Sequence, residues 1–163
     1  MISILGRGGW RADSNANLTQ LLDTPESRQM KGSPKLRMFQ IGAPPKRGEG
    51  LRIGATRRPP RGVPKSRWRQ DDYFDIWLPE ISPSAALLRR YRNSEWGDAS
   101  VRAKFFDAYE RELGQAPAHH VIQLLASLAR RTPVAVGCFC REESLCHRSR
   151  LYKVLRRAAS TKV

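Results

Sequence analysis

Apolar positions along this chain change their period part of the way through. Between residues 38 and 78 they come in short runs: MFQIG (38–42), LRIGA (51–55) and YFDIWL (73–78). Each has the length of a strand and is bounded by glycine, proline or polar residues, so three strands are predicted. Beyond Pro79 the spacing lengthens. Ser82-Pro83 reads as a cap followed by proline at a first helical position, opening a helix with Leu87, Leu88 and Tyr91 inward. Val101, Phe105, Tyr109 and Leu113 step by four along a second helix that Gly114 can close. Val121, Leu124, Leu125 and Leu128 mark a third, stopped before Pro133. TPVAVGC (132–138) is short, apolar and β-branched, the signature of a buried strand. A final helix runs from about Cys146 to Ala158, with Leu151, Val154, Leu155 and Ala158 facing in.

The predicted order is β-β-β-α-α-α-β-α. A strand after a helical block, followed by a terminal helix, indicates a small layered α/β domain. Its mixed or parallel sheet is flanked by helices. Residues 42–64 contain five glycines and five prolines, so they form stiff turns and not a flexible linker. Residues 1–37 have one short apolar cluster around Leu18, Leu21 and Leu22, too little for a stable helix, and read as a disordered arm. A single domain over 38–160 is expected.

Composition adds a direction to this picture. The chain has 163 residues, with 30 Lys and Arg against 15 Asp and Glu, a net charge of +15. Such a surface attracts polyanions and phosphates. No apolar run is long enough to span a membrane, and the N-terminal apolar stretch is too short for a secretory signal, so a cytoplasmic protein is expected. Much of the charge is concentrated. Residues 38–69 hold nine cations (Lys46, Arg47, Arg52, Arg57, Arg58, Arg61, Lys65, Arg67 and Arg69) against the single acid Glu49. Trp68, Tyr73 and Trp77 follow. Arginine on stiff turns beside aromatic rings is suited to phosphate backbones and stacked bases. The competing reading is a solvated loop neutralised by Asp71, Asp72 and Asp75.

The densest chemistry lies in VAVGCFCREESLCHRSRLYKVL (134–155). A strand end followed by a helix start is where α/β sheets bind ligands, and free helix N–H groups favour anions. Here Cys146 is a candidate nucleophile with a lowered pKa, and His147 a candidate acid or base. Arg148 is a candidate two-pronged anion holder, with Ser149 as a further donor. Arg57, Arg58, Arg61 and Lys65 are expected at the same edge of the sheet, sharing a phosphate-bearing small molecule or a nucleic acid. Glu80 is the nearest candidate carboxylate, or else a helix-dipole partner.

The three cysteines, odd in number, argue against a disulfide framework. Cys138, Cys140, Cys146 and His147 could instead hold zinc, and Cys138 and Cys140 would share one strand face. Adjacent helical residues diverge by about 100°, which counts against Cys146 and His147 meeting on one ion. Plain packing of buried thiols is the third reading. No phosphate-binding glycine loop or dinucleotide fingerprint is present. The arginine position of a Cys-x5-Arg phosphatase loop starting at Cys140 is occupied by Cys146. The function expected is binding of a phosphate-bearing ligand at the Cys-His-Arg helix start, with or without catalysis. The alternatives are a non-catalytic nucleic-acid-binding module and a zinc-stabilised interaction domain.

Several segments together resemble the bacterial domain-of-unknown-function family 488 (DUF488). They are LRIGATRRPPRGVPK (51–65), YFDIWLPEISPS (73–84), FFDAYERELG (105–114) and VGCFCREESLCHRSRL (136–151). The resemblance runs from about Met38 to Leu155, and its Cys-x7-Cys-His-Arg spacing, Cys138 to Arg148, marks a subtype. It implies a compact bacterial cytoplasmic α/β domain and implies no particular enzyme activity. Cys140 and the residues before Met38 depart from the family pattern.

Overall fold

The structure, a computed structural model, describes residues 34–161. Four strands form one sheet: β1 (Leu36–Gln40), β2 (Leu51–Gly54), β3 (Ile76–Trp77) and β4 (Val134–Cys138). Their order across the sheet is β1-β4-β2-β3, and every pairing is parallel. Four helices follow the chain: α1 (Ala85–Arg90), α2 (Ala99–Leu113), α3 (Ala118–Ala129) and α4 (His147–Ser160). Short 3-10 turns occupy Lys65–Arg67 and Pro79–Ile81. The order of strands and helices is the predicted one, and the sheet is wholly parallel. Among the described residues no helix is long and apolar enough to cross a membrane.

Strand alternation divides the interior in two. Leu36, Ile53, Val134 and Val136 join the core formed with Leu87, Phe105, Phe106, Tyr109, Ile122, Leu125, Leu151 and Leu155, so the helices gather on one face of the sheet. The intervening residues carry a smaller cluster of Phe39, Ile41, Phe74 and Ala135, packed by Trp68, Tyr73 and Trp77. Helix-free chain therefore covers the second face. It lies close because Gly54 and Gly137, paired across β2 and β4, have no side chain. A Cβ on Gly54 would fall 2.4 Å from the Phe74 ring, and one on Gly137 2.3 Å from the Phe39 ring. The β1–β2 connection, ten residues without a helix, is held by buried Arg52. Its guanidinium donates to Ala43 O at 2.8 Å, approaches Glu49 at 3.5 Å and stacks 4.1 Å over Phe39.

Several local expectations are corrected. β1 begins at Leu36, and Leu36 and Arg37 pair with Val134 and Ala135, so the last two residues of the expected arm belong to the sheet. The rest of that arm, up to residue 33, lies outside the described residues. The third strand shrinks from 73–78 to two residues, because Phe74 turns into the second face. Ser84, and not Ser82, caps α1, accepting from Leu87 N at 3.0 Å. Ser82 Oγ donates instead to Pro79 O. In α3 the buried face is Ala118, Ile122, Leu125, Ala126 and Ala129, while Leu124 is 68% exposed. Small alanines let that helix approach its neighbours, a signal that large-residue spacing does not carry.

Candidate functional site: thiols and an imidazole at the sheet end

In a parallel sheet all carboxyl ends lie on one side, so the segments after β2 and β4 emerge as neighbours. Ala55 N donates to Gly137 O and Ile41 N to Cys138 O, prolonging the ladders into the site. β4 delivers Cys138 at its last position, and the loop 139–145 returns the chain to α4. Cys146 is the N-cap of that helix, with φ −100° and ψ 139°, and its Sγ accepts from Arg148 N at 3.5 Å. Because Cys146 has extended dihedrals and His147 helical ones, the 100° divergence expected between them does not apply.

The side chains converge. Cys138 Sγ lies 3.6 Å from Cys140 Sγ and 4.0 Å from His147 Nδ1, and Cys146 Sγ lies 3.9 Å from the same nitrogen. The donor atoms of Cys138, Cys146 and His147 are all within 4.8 Å of one another. This Cys/His cluster could hold a metal ion. His147 is held from both sides. Its Nε2 is 2.8 Å from Ala55 O, a pure acceptor, so the proton sits on Nε2 and the Nδ1 lone pair faces the thiols. The Tyr109 ring packs edge-on at 5.5 Å, and its buried hydroxyl donates to Ile81 O at 2.6 Å.

Burial pushes the His147 imidazole down in pKa, which keeps the ring neutral. The three thiols share hydrogen bonds that favour one thiolate at a time. Cys140, bonded by Cys138, is lowered. Cys138, donating to Cys140, is pushed up to about 11, and Cys146 is raised by its sulfur neighbours and by burial. The expected lowering at Cys146 is thereby reversed. Cys146 is 1% exposed, and its sulfur lies between Arg148 N and His147 Nδ1.

Arg148 also departs from expectation. Its guanidinium is buried and donates to Cys138 O (3.3 Å), Cys140 O (2.5 Å) and Arg141 O (3.3 Å). The fork expected to grip an anion instead clamps the loop that carries Cys140. Its Nε has no hydrogen-bond partner, and no carboxylate pairs with it among the described residues. Ser149 Oγ donates to Cys146 O at 2.9 Å, inside its own turn. Glu80 is exposed and makes no ion pair or side-chain hydrogen bond among the described residues.

The basic loop leaves the sheet directly after the His147 contact. Thr56 Oγ1 donates to Arg58 O, and two indoles pin the chain: Trp77 Nε1 to Thr56 O at 2.8 Å, Trp68 Nε1 to Val63 O at 3.1 Å. The acids of this region are partly spent, with Arg67 on Asp71 at 2.7 Å and Arg69 on Asp75 at 3.2 Å. Arg57, Arg58, Arg61 and Lys65 form no ion pair among the described residues. Beside them lies a cavity of about 370 Å³ whose lining includes Lys65, Trp68, Trp77 and the Arg69–Asp75 pair. The cavity could not be read from sequence, because its lining residues meet only in the folded chain.

Residues 36–159 match the model of a family described as DUF488-N3a, the active DUF488-N3 subclade. No curated protein and no solved structure matches the chain.

Proposed function

Taking as premise that the chain belongs to the DUF488 family, we propose that it binds a phosphate-bearing ligand, a single-stranded nucleic acid, across the carboxyl end of its sheet. The observation that carries this reading is the set Arg57, Arg58, Arg61 and Lys65. These four cations stand on a pinned, proline-rich loop with no acidic partner among the described residues. Cations already paired add little to polyanion binding, whereas unpaired ones exchange counterions for phosphates. The cavity beside Trp68 and Trp77 supports a base-stacking partner, since an indole face accepts any base. Ala55, which holds His147, is two residues before Arg57, so a strand bound on the loop runs past the thiol cluster. Three cysteines without a disulfide suit the cytoplasmic setting included in this reading.

Fluorescence anisotropy with a labelled single-stranded oligonucleotide tests it. Binding is expected to weaken steeply with salt, and the triple variant R57E/R58E/R61E is expected to lose about 30-fold or more at low salt. Binding that ignores salt, or that survives the triple reversal, overturns the reading. A free mononucleotide binding as tightly as the strand would replace the nucleic acid by a small molecule.

A further inference from the structure

We infer that Cys138, Cys140, Cys146 and His147 form a tetrahedral zinc site that ties the end of β4 to the start of α4. A tetrahedral Zn²⁺ with sulfur at about 2.3 Å and nitrogen at about 2.0–2.1 Å places its sulfurs about 3.8 Å apart and sulfur and nitrogen about 3.6 Å apart. The distances here are 3.6 Å for Cys138–Cys140, 3.9 Å for Cys146–His147 and 4.0 Å for Cys138–His147. The donor atoms of Cys138, Cys146 and His147 lie within 4.8 Å of one another and contract onto an ion, whereas Cys140 lies outside that group and joins it by rotation of its exposed side chain. Cys140 is the fourth donor, placed by its contact to Cys138.

Two further observations point to an ion and not to packed thiols. The first is the imidazole. Its Nε2–H is fixed on the Ala55 carbonyl and its Nδ1 lone pair is aimed at the sulfurs, the backing that metal-bound histidines use. The second is Arg148. A buried guanidinium with no carboxylate partner among the described residues needs a negative group beside it. Three thiolates, one neutral imidazole and Zn²⁺ sum to a charge of −1, which the buried guanidinium beside the site balances. Its three carbonyl contacts hold the ligand loop, and the Arg148 backbone N–H already points at Cys146 Sγ. On binding, the thiols that are still protonated release their protons to solvent, and nothing is oxidised or reduced.

The inference is independent of nucleic-acid binding and is tested on the full chain, reduced and stripped by a chelator. Titration with Co²⁺ is expected to give, at one equivalent, the d–d bands of a four-coordinate ion and a thiolate-to-cobalt charge-transfer band, both erased by Zn²⁺. In C140S, a change at an exposed position, the charge-transfer intensity should fall by about a third, as one thiolate of three is lost, and Zn²⁺ should bind about tenfold or more weakly. Added Zn²⁺ should raise the Tm of the stripped protein and protect the thiols from alkylation. No charge-transfer band, or a band unchanged in C140S, overturns the four-donor site. R57E/R58E/R61E should bind zinc like the parent, which keeps the two proposals separable.

Discussion

Single residues set the close approaches on which both faces of the sheet depend. Gly137 stands opposite Gly54, and the Phe39 ring occupies the space a Cβ would need, 2.3 Å away. Phe39 is itself buried and lies under the Arg52 guanidinium, so the ring cannot retreat without disturbing the loop 41–50. Gly137→Ala is therefore expected to destabilise by about 1–3 kcal/mol through overpacking, measured by denaturant unfolding; a neutral result would show that Phe39 has room to move. Arg148 shows how far a residue's chemistry depends on its surroundings. Its sequence position marks it as an anion holder, but a buried fork among three carbonyls is a structural clamp. Cys146 shows the same dependence. A helix N-cap and a neighbouring arginine lower a thiol's pKa, whereas neighbouring sulfurs and burial raise it, and here the sulfurs and burial win.

At the level of elements, caps and packing faces account for what spacing alone misplaced. α1 is six residues long, too short to persist by propensity, and is fixed at its start by Ser84. Ser84 Oγ accepts from Leu87 N and donates to Glu112 Oε1, while Ser84 N donates to Glu112 Oε2 at 2.9 Å, joining α1 to α2. Ser84→Ala is expected to cost about 1 kcal/mol, with hydrogen exchange speeding up in α1 before α2; uniform change across the domain would refute a local cap. Val101 to Leu113 were legible because aromatic residues at four-residue steps face the core in α2. Leu124 was misleading, because α3 turns its alanines inward and leaves a leucine in water.

For the whole molecule, the parallel order β1-β4-β2-β3 decides which distant segments meet. Placing β4 between β1 and β2 brings the Cys-His turn against the first residues of the basic loop, ninety-two positions earlier in the chain at the Ala55–His147 contact. The two proposals occupy neighbouring ground but rest on separate groups. The triple reversal R57E/R58E/R61E should therefore leave the unfolding midpoint of the zinc-loaded protein almost unchanged while nucleic-acid binding collapses. Chelation should do the opposite first, lowering the midpoint. A common loss of both on either treatment would show one cooperative site in place of two.

The hydrophobic period by itself determined the order of strands and helices, since burial of one face per element imposes period 2 or 3.6 whatever the neighbours are. Local chemistry likewise placed the thiols, the imidazole and the cation cluster along the chain. Only the tertiary structure decided that the sheet is wholly parallel, that Cys146 and His147 point to one place, and that Arg148 faces inward. It also decided which arginines have carboxylate partners. These outcomes depend on distances between residues far apart in sequence, and on burial, which turns the same side chain from a ligand holder into a clamp by removing water from around its charge.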